Sequence, residues 1–341
     1  MVFFLTFYSI KRESVLLYRM MSWSKSFEPN IIEVEQFRGE TGNMEQKRHY
    51  LAVLQILAAA CGWGLIGVFS RPMAAEGLAS VQATFIRSVI VTAGLGIYIR
   101  IKDKNLFKIR RKDFWIFLGT GLVSIVFFNI CYFMTIQKAT LAAASMLLYT
   151  APCFVLLMSA VFFHEKITAQ KLAALVLAFA GCGLVSGFTG GDISLSALLT
   201  GIGAGFGYAT YSIFGTVALK KYSTLTVIFY TFAVATAGLF FFAAPVEMTG
   251  ILIKSRRALL YSLGLGLFST FIPYICYTSG LRYVEAGKAS VLAFAEPLVA
   301  TLSGIVVFHE TVTVKNIFGI VLIFLAIILL NIPLGSQKTA P

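Results

Sequence analysis

The chain reads as an all-α integral membrane protein of ten transmembrane helices, arranged as two inverted five-helix repeats. Three observations predict this. First, 58% of the 341 residues are hydrophobic and only 13% are charged, a balance far from that of a water-soluble domain. Second, apolar runs of about 20 residues, the length that crosses a hydrocarbon core of roughly 30 Å, recur almost to the C-terminus. Third, the chain repeats itself at an offset of 145 residues.

The predicted spans are 51–70, 79–99, 114–135, 141–162, 169–187, 196–218, 224–244, 258–280, 288–308 and 315–333. They are helices rather than barrel strands because they lack alternating polarity, and backbone polar groups in lipid must be satisfied within the segment. Span 1 carries Gly62-Trp63-Gly64 and aligns CGWGLIGVF (61–69) with FGYATYSIF (206–214) of span 6. Spans 2 and 7 align after a shift of one or two residues. Span 3 contains LGTGLVS (118–124) and ICY (130–132), which match LGLGLFS (263–269) and ICY (275–277) in span 8. Spans 4 and 9 share Ala-Ser pairs (144–145, 289–290) and prolines 152 and 297. Each is followed by a His-Glu phrase, VFFHEKIT (161–168) and VVFHETVT (306–313), before spans 5 and 10 close each half. Five crossings per half make the second half enter the membrane from the opposite face, an arrangement that in secondary transporters places a substrate site between the halves.

Residues 1–50 form a charged N-terminal segment with no cleavable signal pattern. Met44, at the head of MEQKRHY, is an alternative translation start, since Arg38-Gly39-Glu40 just upstream could be encoded by a purine-rich ribosome-binding sequence. The repeats are expected over 51–187 and 196–333, with a tail at 334–341. If the N-terminus is inside, 21 of the 28 lysines and arginines lie on the cytoplasmic side and six outside, which predicts that both termini are cytoplasmic. The formal charge of +13 is thus a topology signal rather than a nucleic-acid surface, and the five cysteines, all in predicted spans, are expected as free thiols.

Charges deep in a bilayer are costly and mark function. Two qualify, Arg87 and Glu296, at depths that differ by roughly 6 Å on a rise of 1.5 Å per residue. Either they receive a substrate carboxylate (Arg87) and an amino group or proton (Glu296), or they form a permanent ion pair with each other. Neither has a charged counterpart in the other half, so the cavity is expected to be asymmetric. Trp63 and Tyr277 are the first candidates to line it, followed by Tyr132, Tyr208 and Tyr211, with Tyr149, Tyr230 and Tyr274 as further aromatics. Pro152 and Pro297 are candidate hinges. The glycine pairs 119/121 and 264/266 read as close helix contacts rather than a nucleotide loop.

The His-Glu phrases fall at opposite membrane faces and lack metal-site spacing. Thr168 and Thr313 are expected to cap the following helices, with Glu165 and Glu310 near their positive ends; a gate contact is the alternative. No metal or cofactor is expected.

Taken together, Gly62-Trp63-Gly64, Arg87, Pro152, Pro297 and the two glutamate-to-threonine phrases resemble the drug/metabolite transporter superfamily in its ten-helix EamA-type branch, over roughly residues 50–333. The resemblance implies a cytoplasmic-membrane carrier, commonly an exporter of amino acids or related metabolites. Partners implied are a small-molecule substrate, membrane lipid and a coupling proton or ion, with no nucleic acid. This sequence departs from the pattern at Tyr208-Ala209, which replaces Trp-Gly, and at His164 and His309, which stand where the family more usually has glycine. The competing classes are a non-transporting receptor or scaffold and a membrane-embedded enzyme, the latter needing a convergence of acids and histidines that one deep acid does not supply.

Overall fold

Apolar runs separated by serine, threonine, proline and charge become helices with definite ends. The computed structural model describes residues 31–187 and 193–332. Among these, eight helices are long and apolar enough to cross a membrane: α1 (Gln46–Ala75), α2 (Ser80–Lys102), α3 (Arg111–Lys138), α4 (Leu141–Phe163), α6 (Leu195–Leu219), α8 (Arg256–Gly280), α9 (Ala286–Phe308) and α10 (Val314–Asn331). Two shorter apolar helices, α5 (Ala169–Val185) and α7 (Thr224–Leu239), complete the ten. Thr140, Thr168, Ser194, Ser223, Ser255 and Thr313 each start a helix by accepting a hydrogen bond from the backbone N–H three residues on. That bond satisfies one of the donors a helix N-terminus leaves open.

Two boundaries differ from the expectation. The first span was expected to begin at 51, after a charged segment, yet helical backbone begins at Ile31. Span 7 was expected to run to 244 but stops at Leu239. Ala244 adopts a left-handed φ of 43°, and Pro245 opens a separate short helix, Pro245–Lys254, because proline cannot continue a helix from the preceding turn. Residues 1–30 and the 334–341 tail, with much of the expected N-terminal segment, lie outside the described residues.

Within the unit from His49 onward, the packing follows the repeat. α2 lies against α7, α4 against α9 and α5 against α10, each helix meeting its own counterpart, while α1 meets α8 and α3 meets α6. Adding five to every number and wrapping round returns the same set of pairs. Such a pattern is expected of a pseudo-two-fold axis. The expected glycine contacts are present: a Cβ on Gly121 would lie 2.6 Å from Val234 Cγ1, and one on Gly266 would lie 2.7 Å from Ile90 Cδ1.

The symmetry extends to the backbone of the His-Glu phrases. His164 and His309 both take left-handed conformations, φ 58° and 55°. The N–H of each histidine and of the following glutamate returns to one carbonyl, that of Ser159 in α4 and of Gly304 in α9. Left-handed termination favours glycine, since a Cβ there costs about 1–2 kcal/mol. His164→Gly and His309→Gly are therefore each expected to stabilise the protein by about 1 kcal/mol, read as a higher melting temperature in detergent. An unchanged or lower value would mean that the imidazoles make compensating contacts.

Candidate functional site

The two prolines predicted as hinges do more than kink their helices. A proline inside a helix removes an N–H and crowds the carbonyl four residues back; here that opens α4 between Leu141–Leu148 and Ala151–Phe163. It opens α9 between Ala286–Leu292 and Ala295–Phe308. The chain bridges each gap with tighter turns, Thr150 N to Leu147 O and Phe294 N to Val291 O. The breaks face one another. Between them lies a small cleft of about 20 Å³ lined by Tyr149, Pro152, Tyr208, Ser290, Phe294 and Glu296, among others.

Glu296 sits in the first turn of the second half of α9, where the positive end of the helix favours an anion. Its Oε2 accepts a hydrogen bond from the Tyr208 hydroxyl at 3.3 Å. Beside it, α1 is interrupted at Leu65, between Gly64 and Ile66. Gly64 is required there: a Cβ would stand 2.7 Å from the Glu296 carbonyl oxygen and 2.7 Å from Val299 Cβ. The counterpart helix α6 carries Ala209 at this place and runs unbroken from Leu195 to Leu219. The departure noted in the sequence is thus an architectural asymmetry, one broken and one continuous helix.

Arg87, on α2, is 8% exposed. Its electrostatic neighbours are Tyr274, Glu296 and Tyr208, but no nitrogen of Arg87 comes within the 4.0 Å ion-pair distance of Glu296, and its Nε has no hydrogen-bond partner among the described residues. A buried guanidinium with an unmet donor is costly, and a charge held at depth in a membrane protein is a candidate for function.

An aromatic cluster adjoins the two charges through Tyr208 and Tyr274. Trp63, 7% exposed, stands 5.1 Å from Tyr277, 5.5 Å from Tyr274 and 6.4 Å from Tyr208, ring centre to ring centre. Tyr211 and Tyr277 are held by bonds to Thr278 and Ser212, at 2.6 and 2.8 Å. Tyr132 lies one ring further out, against Phe128, and shares a 3.3 Å hydrogen bond with Ser145. Tyr230 leaves the group: its hydroxyl donates to the Phe107 carbonyl at 2.6 Å and pins the loop between α2 and α3.

Ser290 and Phe294 line the cleft without having been expected there. A signal existed for Ser290, because Ala289-Ser290 matches Ala144-Ser145, but Phe294 gave none beyond its nearness to Glu296. Also unforeseen are wide π-helical turns at equivalent places in α3 (Gly119–Phe127) and α8 (Leu267–Phe271), a feature frequent at functional sites. In α8 the turn ends two residues before Pro273.

At the helix ends, Thr168 and Thr313 accept from Lys171 N and Asn316 N, each at 3.2 Å. The two glutamates depart from the expectation that they serve the same helices. Glu165 reaches into the other half, accepting from Ala286 N at 2.9 Å and Gly287 N at 3.1 Å at the start of α9. Glu310 pairs with Arg71 at 2.6 Å. Neither acid accepts a hydrogen bond from the backbone at the start of the helix that follows it; the threonines do so instead.

Comparison with known proteins agrees with this architecture. Residues 50–187 and 195–332 each match the EamA-like transporter family. A protein of Archaeoglobus fulgidus named as an uncharacterized transporter is 28% identical over 262 residues, covering 76% of this chain and 88% of its own. The inner membrane transporter YicL of Salmonella typhimurium, also named as uncharacterized, is 26% identical over 294 residues, 84% of this chain and 97% of its own. A crystal structure with 17% identity superposes with a TM-score of 0.67 over 82% of this chain and 96% of that one, a likeness of fold. With two matched five-helix halves that together span most of its length, the chain belongs to the EamA-like transporter family.

Proposed function

We propose that the chain is a secondary transporter that carries a small zwitterionic metabolite, an amino acid or a related compound, outward across the cytoplasmic membrane. The observation that carries this reading is Arg87, nine-tenths buried with its Nε unpartnered among the described residues, in the electrostatic neighbourhood of a carboxylate that lines a cleft between two broken helices. Arg87 receives the substrate carboxylate, for which its planar fork of donors is suited. Glu296 receives the amino group or a coupling proton, and Trp63, Tyr208, Tyr211 and Tyr277 confine the solute, with Tyr132 behind them. The halves 51–187 and 196–333 rock about the pseudo-two-fold axis to expose the cleft to one face and then the other, with Pro152 and Pro297 at the hinges. Both termini lie in the cytoplasm, and a proton or ion gradient supplies the drive.

A thermal-shift screen of amino acids, nucleosides, carboxylates and amines tests the substrate class, since a ligand that binds the folded state raises its stability. Amino acids are expected to score, and proteoliposomes should then show their flux. Stabilisation only by nucleosides or by simple amines would overturn the zwitterion assignment. Saturable binding without flux would identify a receptor instead.

A further inference from the structure

The two His-Glu phrases are equivalent in sequence and in backbone, yet their carboxylates do different things. Glu165, from the first half, accepts from the N–H groups of Ala286 and Gly287 on α9 of the second half. Lys171, 7% exposed, lies 3.9 Å from Glu165 and pairs with Glu285 at 2.5 Å, closing the same junction. The junction is close: a Cβ on Gly287 would sit 2.7 Å from Leu156 Cδ2 and 3.1 Å from the Glu165 carboxylate. This is a latch between halves, made of charge-assisted hydrogen bonds to a helix start.

The offset of 145 residues maps Glu165 onto Glu310, and Ala286 and Gly287 onto Leu141 and Ala142 at the start of α4. In a fully symmetric molecule Glu310 would hold α4 as Glu165 holds α9. It does not. Its carboxylate is turned to Arg71, a pair about half exposed on both sides. Thr140 caps α4 at Ala143, and Glu310 takes neither of the two preceding N–H groups.

We propose that Glu165 and Glu310 are reciprocal gate latches. In the conformation described, Glu165 holds α9 and Glu310 is parked on Arg71; in the alternate one Glu310 leaves Arg71 for the N–H groups of Leu141 and Ala142, and Glu165 releases α9. Each latch joins opposite halves at opposite membrane faces, so forming one while breaking the other closes one end of the cleft and frees the other. The assignment rests on the alternating-access reading above. Arg71 is the holding site that keeps Glu310 satisfied while its latch is open, assisted by the Phe308 ring, whose centre lies 4.5 Å from the guanidinium carbon.

Amide hydrogen exchange on the full-length protein in nanodiscs tests this without a substrate. In Glu165→Gln the amides of residues 286–288 should exchange about tenfold faster, the scale of losing a charge-assisted hydrogen bond. Those of 141–143 should slow, because the population moves toward the Glu310 latch. Adding Glu310→Gln should abolish that slowing. If 141–143 are unaffected in Glu165→Gln, Glu165 is a static cap and the proposal is overturned. Should Glu165→Gln fail to fold, Glu310→Gln, at an exposed site, must slow 286–288 on its own; unchanged rates there overturn the proposal equally. Reciprocal exchange without flux of any tested solute would leave the latch standing and remove the transporter reading, and flux without reciprocity would do the reverse.

Discussion

Arg87→Met is expected to raise the melting temperature of the ligand-free protein and, in the same molecule, to abolish stabilisation by substrate. The two effects have one cause. Arg87 is buried, its Nε is unpartnered among the described residues, and Glu296 is beyond ion-pair distance, so the folded state carries an uncompensated desolvation cost that a methionine removes, about 1–3 kcal/mol. A substrate carboxylate would compensate that charge on binding. Arg87→Lys keeps the charge but loses the fork and should weaken binding by roughly 10- to 100-fold, the worth of a charge-assisted hydrogen bond. Glu296→Gln should impair amine recognition or coupling while leaving the fold intact. The outcome that would sink the site is a destabilised Arg87→Met together with retained affinity and coupling in Arg87→Lys and Glu296→Gln at matched expression. That combination is the signature of a structural charge pair.

The other large effect is on stability. α5 and α10 cross with their backbones in contact: a Cβ on Gly181 would stand 2.7 Å from the Gly319 carbonyl oxygen, and one on Gly319 would stand 2.6 Å from that of Gly181. Neither obstacle is a flexible side-chain tip, so relief requires the helices to part. In lipid, association depends on such close packing because there is little hydrophobic gain to replace it. Gly181→Leu should therefore cost about 1–3 kcal/mol or more, seen as a lower melting temperature in detergent and a loss of folded protein. Gly67→Leu, where a Cβ meets nothing within 4 Å, is the control and should be close to neutral. Equal stability of the two variants would refute the crossing.

Much of this was legible in the chain. Ten spans followed from apolar length, and the inverted arrangement from the odd number of spans within a 145-residue repeat. The family resemblance drawn from Gly62-Trp63-Gly64, Arg87, the prolines and the glutamate-to-threonine phrases agrees with the matched halves. Arg87 and Glu296 stood out as deep charges in a setting where charge is expensive. Local rules failed where a neighbour decides the outcome. Span 7 was drawn through residues 240–244 because they are apolar, but Phe241 is 83% exposed within the chain, and the left-handed Ala244 with Pro245 ends the element earlier. Pro152 and Pro297 announced irregularity; that it takes the form of two facing breaks depends on α4 and α9 meeting across the pseudo-axis.

What the sequence by itself determined is everything set by solvent and by order along the chain: the membrane, the number of crossings, the inversion, and which residue types could carry chemistry. These depend on one residue and its lipid surroundings, or on comparison of the chain with itself. What only the tertiary structure decided is which groups satisfy one another. Glu165 and Glu310 occupy the same place in the same phrase, yet one holds a helix of the opposite half and the other an arginine of α1. Arg87 and Glu296 are electrostatic neighbours without an ion pair. Partner choice is a matter of ångströms across the interface between halves, and sequence periodicity places residues on helices without fixing how far one helix stands from the next.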